Sequence, residues 1–292
     1  MTLREALLWG SQTLNQHGID DPRLDAELLL AHCLGLTRTQ LYANLQQALS
    51  PTGLASYRQL IERRARHEPV AYIVGYKEFY GLDFHVDRRV LIPRPETELL
   101  VERAIGLASG IRDRDYGLGV DSLILADVGT GSGAVAVSLA VNLPQAMVYA
   151  IDASAEALEV AAINCCRHAV EDRVHLLQGD LLDPLPMPVN LIVANLPYVT
   201  EKELAELQPE IRCYEPLSAL DGGPDGLSYI RHLLAQAEGY LKPGGAILLE
   251  IGARQGEAVL DLARCHFPKA DIELCQDYAG LDRIVIVRGS LV

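Results

Sequence analysis

Three things are missing from this 292-residue chain, and each absence removes a class of function. No apolar run approaches the roughly 18 residues that a membrane-crossing helix needs, so a transmembrane protein is not expected. The six cysteines (Cys33, Cys165, Cys166, Cys213, Cys265, Cys275) form no C-x-x-C pair and have no histidine partner at metal-ligand spacing. They read as reduced and mostly buried, which argues against a metal centre and a disulfide scaffold. There is no surplus of positive charge either: 25 basic and 39 acidic residues leave a net charge of −14. Such a chain repels nucleic-acid phosphates unless a local basic patch overrides the balance. The opening MTLREALLWG also lacks the basic stretch and long apolar core of a secretion signal, so a cytoplasmic protein is expected.

The length suits two domains, and 49% hydrophobic with 22% charged residues is an ordinary globular composition. Residues 1–88 carry 9 basic and 10 acidic side chains, so nearly all the surplus negative charge lies beyond them. The first part reads as short helices. Thr2 and Glu5 suit a capping box, and Asp21-Pro22 and Ser50-Pro51 each set a cap before a proline at the first helical position. Arg58, Arg63, Arg64 and Arg66 concentrate in YRQLIERRARHEP, as a solvated face or as a docking surface for an acidic partner. YIVGYKEFYGLDFHV, around Gly75 and Gly81, has the β-branched and aromatic residues of a hairpin. The expected domains are 1–71 (helical), 72–92 (hairpin connector) and 93–292. The polar stretch 109–122 reads as a mobile surface loop.

Beyond residue 91, apolar runs at 123–129, 147–152, 174–180, 191–195, 246–252 and 283–288 alternate with helical stretches. This pattern implies a largely parallel sheet with both faces covered, and ligands bind such sheets at the carboxyl ends of the strands. The first strand ends in DVGTGSGA. Gly129, Gly131 and Gly133 there permit close approach of the backbone to a ligand, whereas the Lys-Ser/Thr of a phosphate loop is absent. The spacing is G-x-G-x-G, not the G-x-G-x-x-G of dinucleotide folds, because position 134 is alanine. Asp152 ends the second strand and could accept hydrogen bonds from both ribose hydroxyls, although a helix cap is the plainer role. Asp180 ends the third strand, where it could receive an adenine amino group. Together they point to an adenosyl ligand.

The fourth strand ends in Asn195-Leu196-Pro197-Tyr198. An amide or aromatic amine is a poor nucleophile because its lone pair is delocalised. Two carbonyl oxygens, from the Asn195 side chain and the Leu196 backbone, could accept its two hydrogens and hold the lone pair toward an incoming group. Pro197 biases Leu196 toward extended geometry, and Tyr198 could stack on the planar group.

The C-terminal part resembles the S-adenosylmethionine-dependent methyltransferases, a seven-stranded, mostly parallel Rossmann-like α/β class. NLPY is similar to the [N/D/S]-P-P-[Y/F/W] tetrapeptide of those that act on amino groups, with Leu196 in place of proline. Because rRNA adenine dimethyltransferases also carry leucine there, the tetrapeptide does not choose between an RNA base and a protein amide. GYKEFYGLDFHVDRRVLIPRPETELLVE, EPLSALDGGPDGLSYIRHLL, LKPGGAILLEIGARQGEAV and DYAGLDRIVIVR do choose, since they resemble the release factor glutamine methyltransferases. The resemblance spans about residues 20–288. It implies S-adenosyl-L-methionine as cofactor, held by Gly129, Thr130, Gly131, Ser132, Gly133, Asp152, Asp180, Leu181 and Asn195. It also implies catalysis and substrate binding by Asn195, Leu196, Pro197 and Tyr198, and no metal. The substrate implied is the glutamine of the Gly-Gly-Gln loop of peptide chain release factors, with no direct nucleic-acid or membrane partner. Arg94 to Thr97 could border the methionine end of the cofactor, and SALDGGPDGL could shape the substrate channel. An adenine-N6 methyltransferase acting on rRNA or DNA is the alternative.

Overall fold

In the computed structural model, which describes residues 1–115 and 123–289, the chain separates into two compact units. One comprises Met1–Tyr76 together with Gln208–Tyr214; the other comprises Lys77–Leu207 and Glu215–Val292.

The first unit is helical: α1 (Leu3–Gln16), α2 (Pro22–Leu34), α3 (Arg38–Ala43), α4 (Pro51–Ala65) and α5 (Val70–Val74), with Pro209–Tyr214 as a further short helix. The capping box at α1 forms as its sequence implies, with Glu5 N donating to Thr2 Oγ1 and Thr2 N to Glu5 Oε2. Ser50 caps α4 through its side chain, but Asp21 makes no side-chain cap to α2. Its backbone carbonyl accepts from Asp25 N instead. Leu3, Leu14, Leu29, Leu30, Tyr57 and Ile61 close the core of this unit.

The arginine-rich end of α4 is not one cationic face. Arg64 is only 5% exposed and is paired with Asp25 and Glu210. Arg63 is bound by Glu68, and the Arg58 guanidinium lies over the Trp9 ring. The solvated face read there is therefore corrected at Arg64, which helix amphipathicity puts inward, where only an ion-paired guanidinium can stay buried.

The second unit begins with the hairpin β1 (Tyr76–Phe79) and β2 (Leu82–His85), whose first residue falls at the division between the units. Its two-residue turn, Tyr80-Gly81, has both φ angles positive, as a tight hairpin requires. Phe79 and Phe84 meet edge to face at 6.0 Å and enter the same core as Leu100 and Ala104. That burial places residues 77–92 of the expected connector in the larger unit, while 72–76 stay with the helical one. Then follow α6 (Thr97–Asp115), β3 (Ile124–Val128), α7 (Ala134–Asn142), β4 (Met147–Asp152), α8 (Ala155–Arg167), β5 (Val174–Gln178) and β6 (Val189–Ala194). After α9 (Glu201–Leu204), and with α10 being Pro209–Tyr214 above, come α11 (Ser228–Ala237), β7 (Leu241–Glu250), α12 (Gly256–His266), β8 (Asp271–Gln276) and β9 (Asp282–Arg288).

Seven strands form one sheet in the order β5-β4-β3-β6-β7-β9-β8, parallel except for β9, which runs antiparallel to both neighbours. Alternate residues go to opposite faces: Leu125, Leu191, Val193 and Leu248 enter one core, while Ala126, Ile192, Ala194 and Leu249 enter the other. Both faces are thus buried, which is why the strands read as continuous apolar runs. Strand order reverses at β3, between β4 and β6, so the ligand crevice belongs at their carboxyl ends. The expected loop over 109–122 is corrected in its first half. α6 continues to Asp115, anchored by the buried Ala108, and an exposed Gly110 costs a helix only about 1 kcal/mol. Residues 116–122 of that stretch lie outside the described residues.

Candidate active site

Four successive strand ends shape one cavity of about 190 Å³. At the end of β3, the fully buried Asp127 accepts from Thr130 Oγ1 at 2.6 Å and from Ala136 N at 3.0 Å, which curls the loop back to the start of α7. Burial pushes its carboxyl up to about 7, with the nearby Asp152 charge adding a smaller push. Gly129 N and Thr130 N both donate to Ile151 O, stitching the loop to β4. Gly129 and Gly131 take positive φ and line the cavity with backbone.

At the end of β4, Asp152 accepts from Gly131 N (2.8 Å) and Ser154 N (2.9 Å) while lining the cavity. The cap of α8 is Ser154, whose Oγ accepts from Ala157 N, so Asp152 is left to face the cavity. Burial raises its carboxyl despite those backbone donors. Beyond β5, Asp180 and Leu181 complete this wall, with Leu181 in a left-handed conformation (φ 47°) that a non-glycine residue adopts only under constraint.

At the end of β6, Asn195, Leu196 and Pro197 line the cavity. Asn195 Nδ2 donates to Thr97 Oγ1 at 3.1 Å, placing the start of α6 against the tetrapeptide. Leu196 is 4% exposed, its side chain sunk among Val128, Ala194 and Ile251. Tyr198 is half-buried and does not line the cavity. Its hydroxyl is pushed up to about 12, by burial first and then by the charge of Glu250, which rules it out as a base near neutrality.

Of the loop residues expected to touch a ligand, Thr130, Ser132 and Gly133 do not line the cavity. Thr130 is turned inward to Asp127, the Ser132 carbonyl accepts from Asn164 Nδ2, and a Cβ on Gly133 would press on Ala161 at 3.2 Å. They shape the loop.

Other residues that sequence alone missed brace the site. Gln255, at the start of α12, donates through Nε2 to Tyr198 O (3.0 Å) and Gly226 O (3.2 Å). The loop around Gly222 packs backbone to backbone on the tetrapeptide, with Val199 N donating to Leu220 O and Gly222 N to Val199 O. Glu215 accepts from Ile92 N and Arg94 Nη2, which ties the segment before α6 to the wall carrying Pro216 and Ser218. Glu250, at the end of β7, is buried, and burial raises its carboxyl to about 7 against hydrogen bonding from Thr97 and Asn195.

Known proteins resemble this chain in sequence and in fold. Residues 5–75 match the family model described as PrmC N-terminal domain, and residues 120–210 that described as methyltransferase small domain. A methyltransferase from Pyrococcus furiosus has the same fold, with a TM-score of 0.50 at 20% identity over 78% of this chain and 98% of that one. The release factor glutamine methyltransferase of Moorella thermoacetica is 45% identical over 97% of this chain and 97% of its own length. That of Geobacter sulfurreducens is 42% identical over 97% of this chain and 95% of its own. Fold and site therefore define a methyltransferase. The chain belongs to the release factor glutamine methyltransferase family, as the strings in its sequence imply.

Proposed function

We propose that the protein transfers the methyl group of S-adenosyl-L-methionine to the side-chain amide nitrogen of the glutamine in the Gly-Gly-Gln loop of peptide chain release factors, in the cytoplasm. The observation that carries this reading is the meeting, in one cavity, of the Gly129–Gly131 backbone, the Asp152 carboxylate and the Asn195–Pro197 segment. The residues present suit the cofactor. Asp152, its carboxylate fixed by two backbone donors, is the acceptor for ribose hydroxyls, and Asp180 the acceptor for an adenine amino group. When bound, the cofactor supplies a methyl group already activated by a sulfonium.

What remains for the protein is to place the nitrogen. Asn195 Oδ1 and the Leu196 carbonyl accept its two hydrogens, so the nitrogen is held with its lone pair toward the methyl. No strong base is needed.

The test is labelled S-adenosylmethionine with purified release factor, with its loop Gln→Ala variant, and with rRNA. Label is expected on the intact release factor alone; label on rRNA alone would overturn the reading. Asn195→Ala should lower turnover by roughly 10²–10³, as removal of one positioned hydrogen-bonding group at a reacting centre does.

A further inference from the structure

Glu250 has no place in the scheme above, yet it sits beside Asn195. β6 and β7 pair in parallel with Ala194 opposite Leu249, so Asn195 and Glu250 are the next residues of adjacent strands. The Glu250 side chain is buried, with the residue only 1% exposed, and Oε2 has no hydrogen-bond partner among the described residues. A carboxyl group in such a position costs stability, and an apolar residue would fill the strand end better. The side chains of Thr97 and Asn195 lie close enough to ease the burial of its charge. Thr97, itself 5% exposed, already accepts from Asn195 Nδ2. One hydrogen of Nδ2 therefore has its acceptor on α6, and the unpartnered Glu250 Oε2 on β7 stands beside it as the acceptor for the other.

An asparagine amide has a donor end and an acceptor end of nearly the same shape, and the wrong end can occupy a site at little steric cost. A clamp on a substrate amide needs Oδ1 toward the reacting nitrogen. With the amide turned over, the Asn195 hydrogens would face those of the substrate. In its ionised form, above its raised value near 7, Glu250 can only accept, and a Thr97 hydroxyl that donates to it can then only accept from Asn195.

We propose that Glu250, together with Thr97, is a positioning residue that fixes the orientation of the Asn195 amide, drawing Nδ2 inward and leaving Oδ1 for the substrate nitrogen. This rests on the reading of Asn195 as the acceptor for that nitrogen. Glutamine at position 250 would restore a donor to the pair and let either orientation of Asn195 be satisfied.

The experiment is steady-state methylation of purified release factor by the full chain. Glu250→Gln should lower kcat by about 10- to 100-fold and leave KM for S-adenosylmethionine within about twofold. Combined with Asn195→Ala it should cause no further loss, whereas a purely structural role would subtract the same factor in both backgrounds. Thr97→Val should resemble Glu250→Gln, and Thr97→Ser, which keeps the hydroxyl, should restore turnover. The threonine pair carries the test if Glu250→Gln does not fold. Normal turnover in Glu250→Gln beside a crippled Asn195→Ala would overturn the proposal alone, as would fully additive losses. Normal turnover in Asn195→Ala would overturn the reading on which it rests.

Discussion

Replacing Leu196 by alanine separates the two things this residue contributes, a backbone carbonyl at the site and a side chain in the core. The side chain is 4% exposed and packs in the core cluster that includes Val128, Ala194 and Ile251, and its Cδ2 comes within 3.2 Å of where a Cβ on Gly129 would stand. Truncation removes the equivalent of three methylenes, about 2.4 kcal/mol at roughly 0.8 kcal/mol each. A cavity adds to that loss, which brings buried Leu→Ala changes to about 3–5 kcal/mol when it stays closed. Because Leu196 borders the cavity, the space can fill with water, and the expected cost is about 2.5–4 kcal/mol. For a unit of this size, a loss of 1 kcal/mol lowers Tm by about 2–4 °C, so a fall of roughly 5–15 °C is expected. The carbonyl is unaltered, and Pro197 still restricts residue 196 to extended geometry. Turnover at saturating substrate should therefore change by less than about tenfold, well short of the loss from Asn195→Ala. Scanning calorimetry and methylation kinetics at a temperature where both variants are folded make the comparison. A turnover loss equal to that of Asn195→Ala in folded protein would refute the separation.

Other changes test the supports. Because burial lifts Asp127 from 3.8 to about 7, the native state holds a proton that the unfolded chain releases between those values. Its stabilisation is complete below pH 3.8 and is lost as pH rises through 7, so between pH 5 and 7.5 wild-type Tm, in calorimetry of the cofactor-free protein, should fall more steeply than that of Asp127→Asn; parallel curves would contradict this. Gly226→Ala puts a Cβ 2.3 Å from Tyr198 O at a φ of +72°, and a loss of about 1–3 kcal/mol with reduced turnover is expected in thermal melts and kinetics. Arg64→Ala strands the buried Asp25 and should destabilise the helical unit by about 3–5 kcal/mol, whereas Arg63→Ala, on a 43% exposed side chain, should cost less than about 1; limited proteolysis distinguishes them.

The sheet was legible where both faces are buried, because β3, β4, β6 and the second half of β7 then read as unbroken apolar runs. β8 was not, since DIELCQ lies at the sheet edge, pairs on one side only and keeps polar residues among its apolar ones. Asp21 and the 109–115 segment misled for a common reason: local signals state which conformations are cheap, and packing decides which is used. The same holds for the arginines of α4. Their spacing shows a cluster, but only the fold brings Asp25 and Glu210 to Arg64.

In the site, the residues that follow an apolar strand directly, Gly129, Asp152, Asp180 and Asn195, could be found from sequence. Their braces could not: Glu215 meets Ile92 across 123 residues and Gln255 meets Tyr198 across 57, and the strings that contain them do not show which residues they meet. These braces bear on why leucine can stand at position 196. A proline there would stiffen the tetrapeptide through its own ring. Here the same segment is held by a buried side chain at 196, by Pro197, by the Gln255 bond to Tyr198 O, and by the backbone bonds on either side of Val199. The rigidity that a ring at 196 would supply is shared among these supports, and on the proposed reading the carbonyl is what the chemistry takes from residue 196.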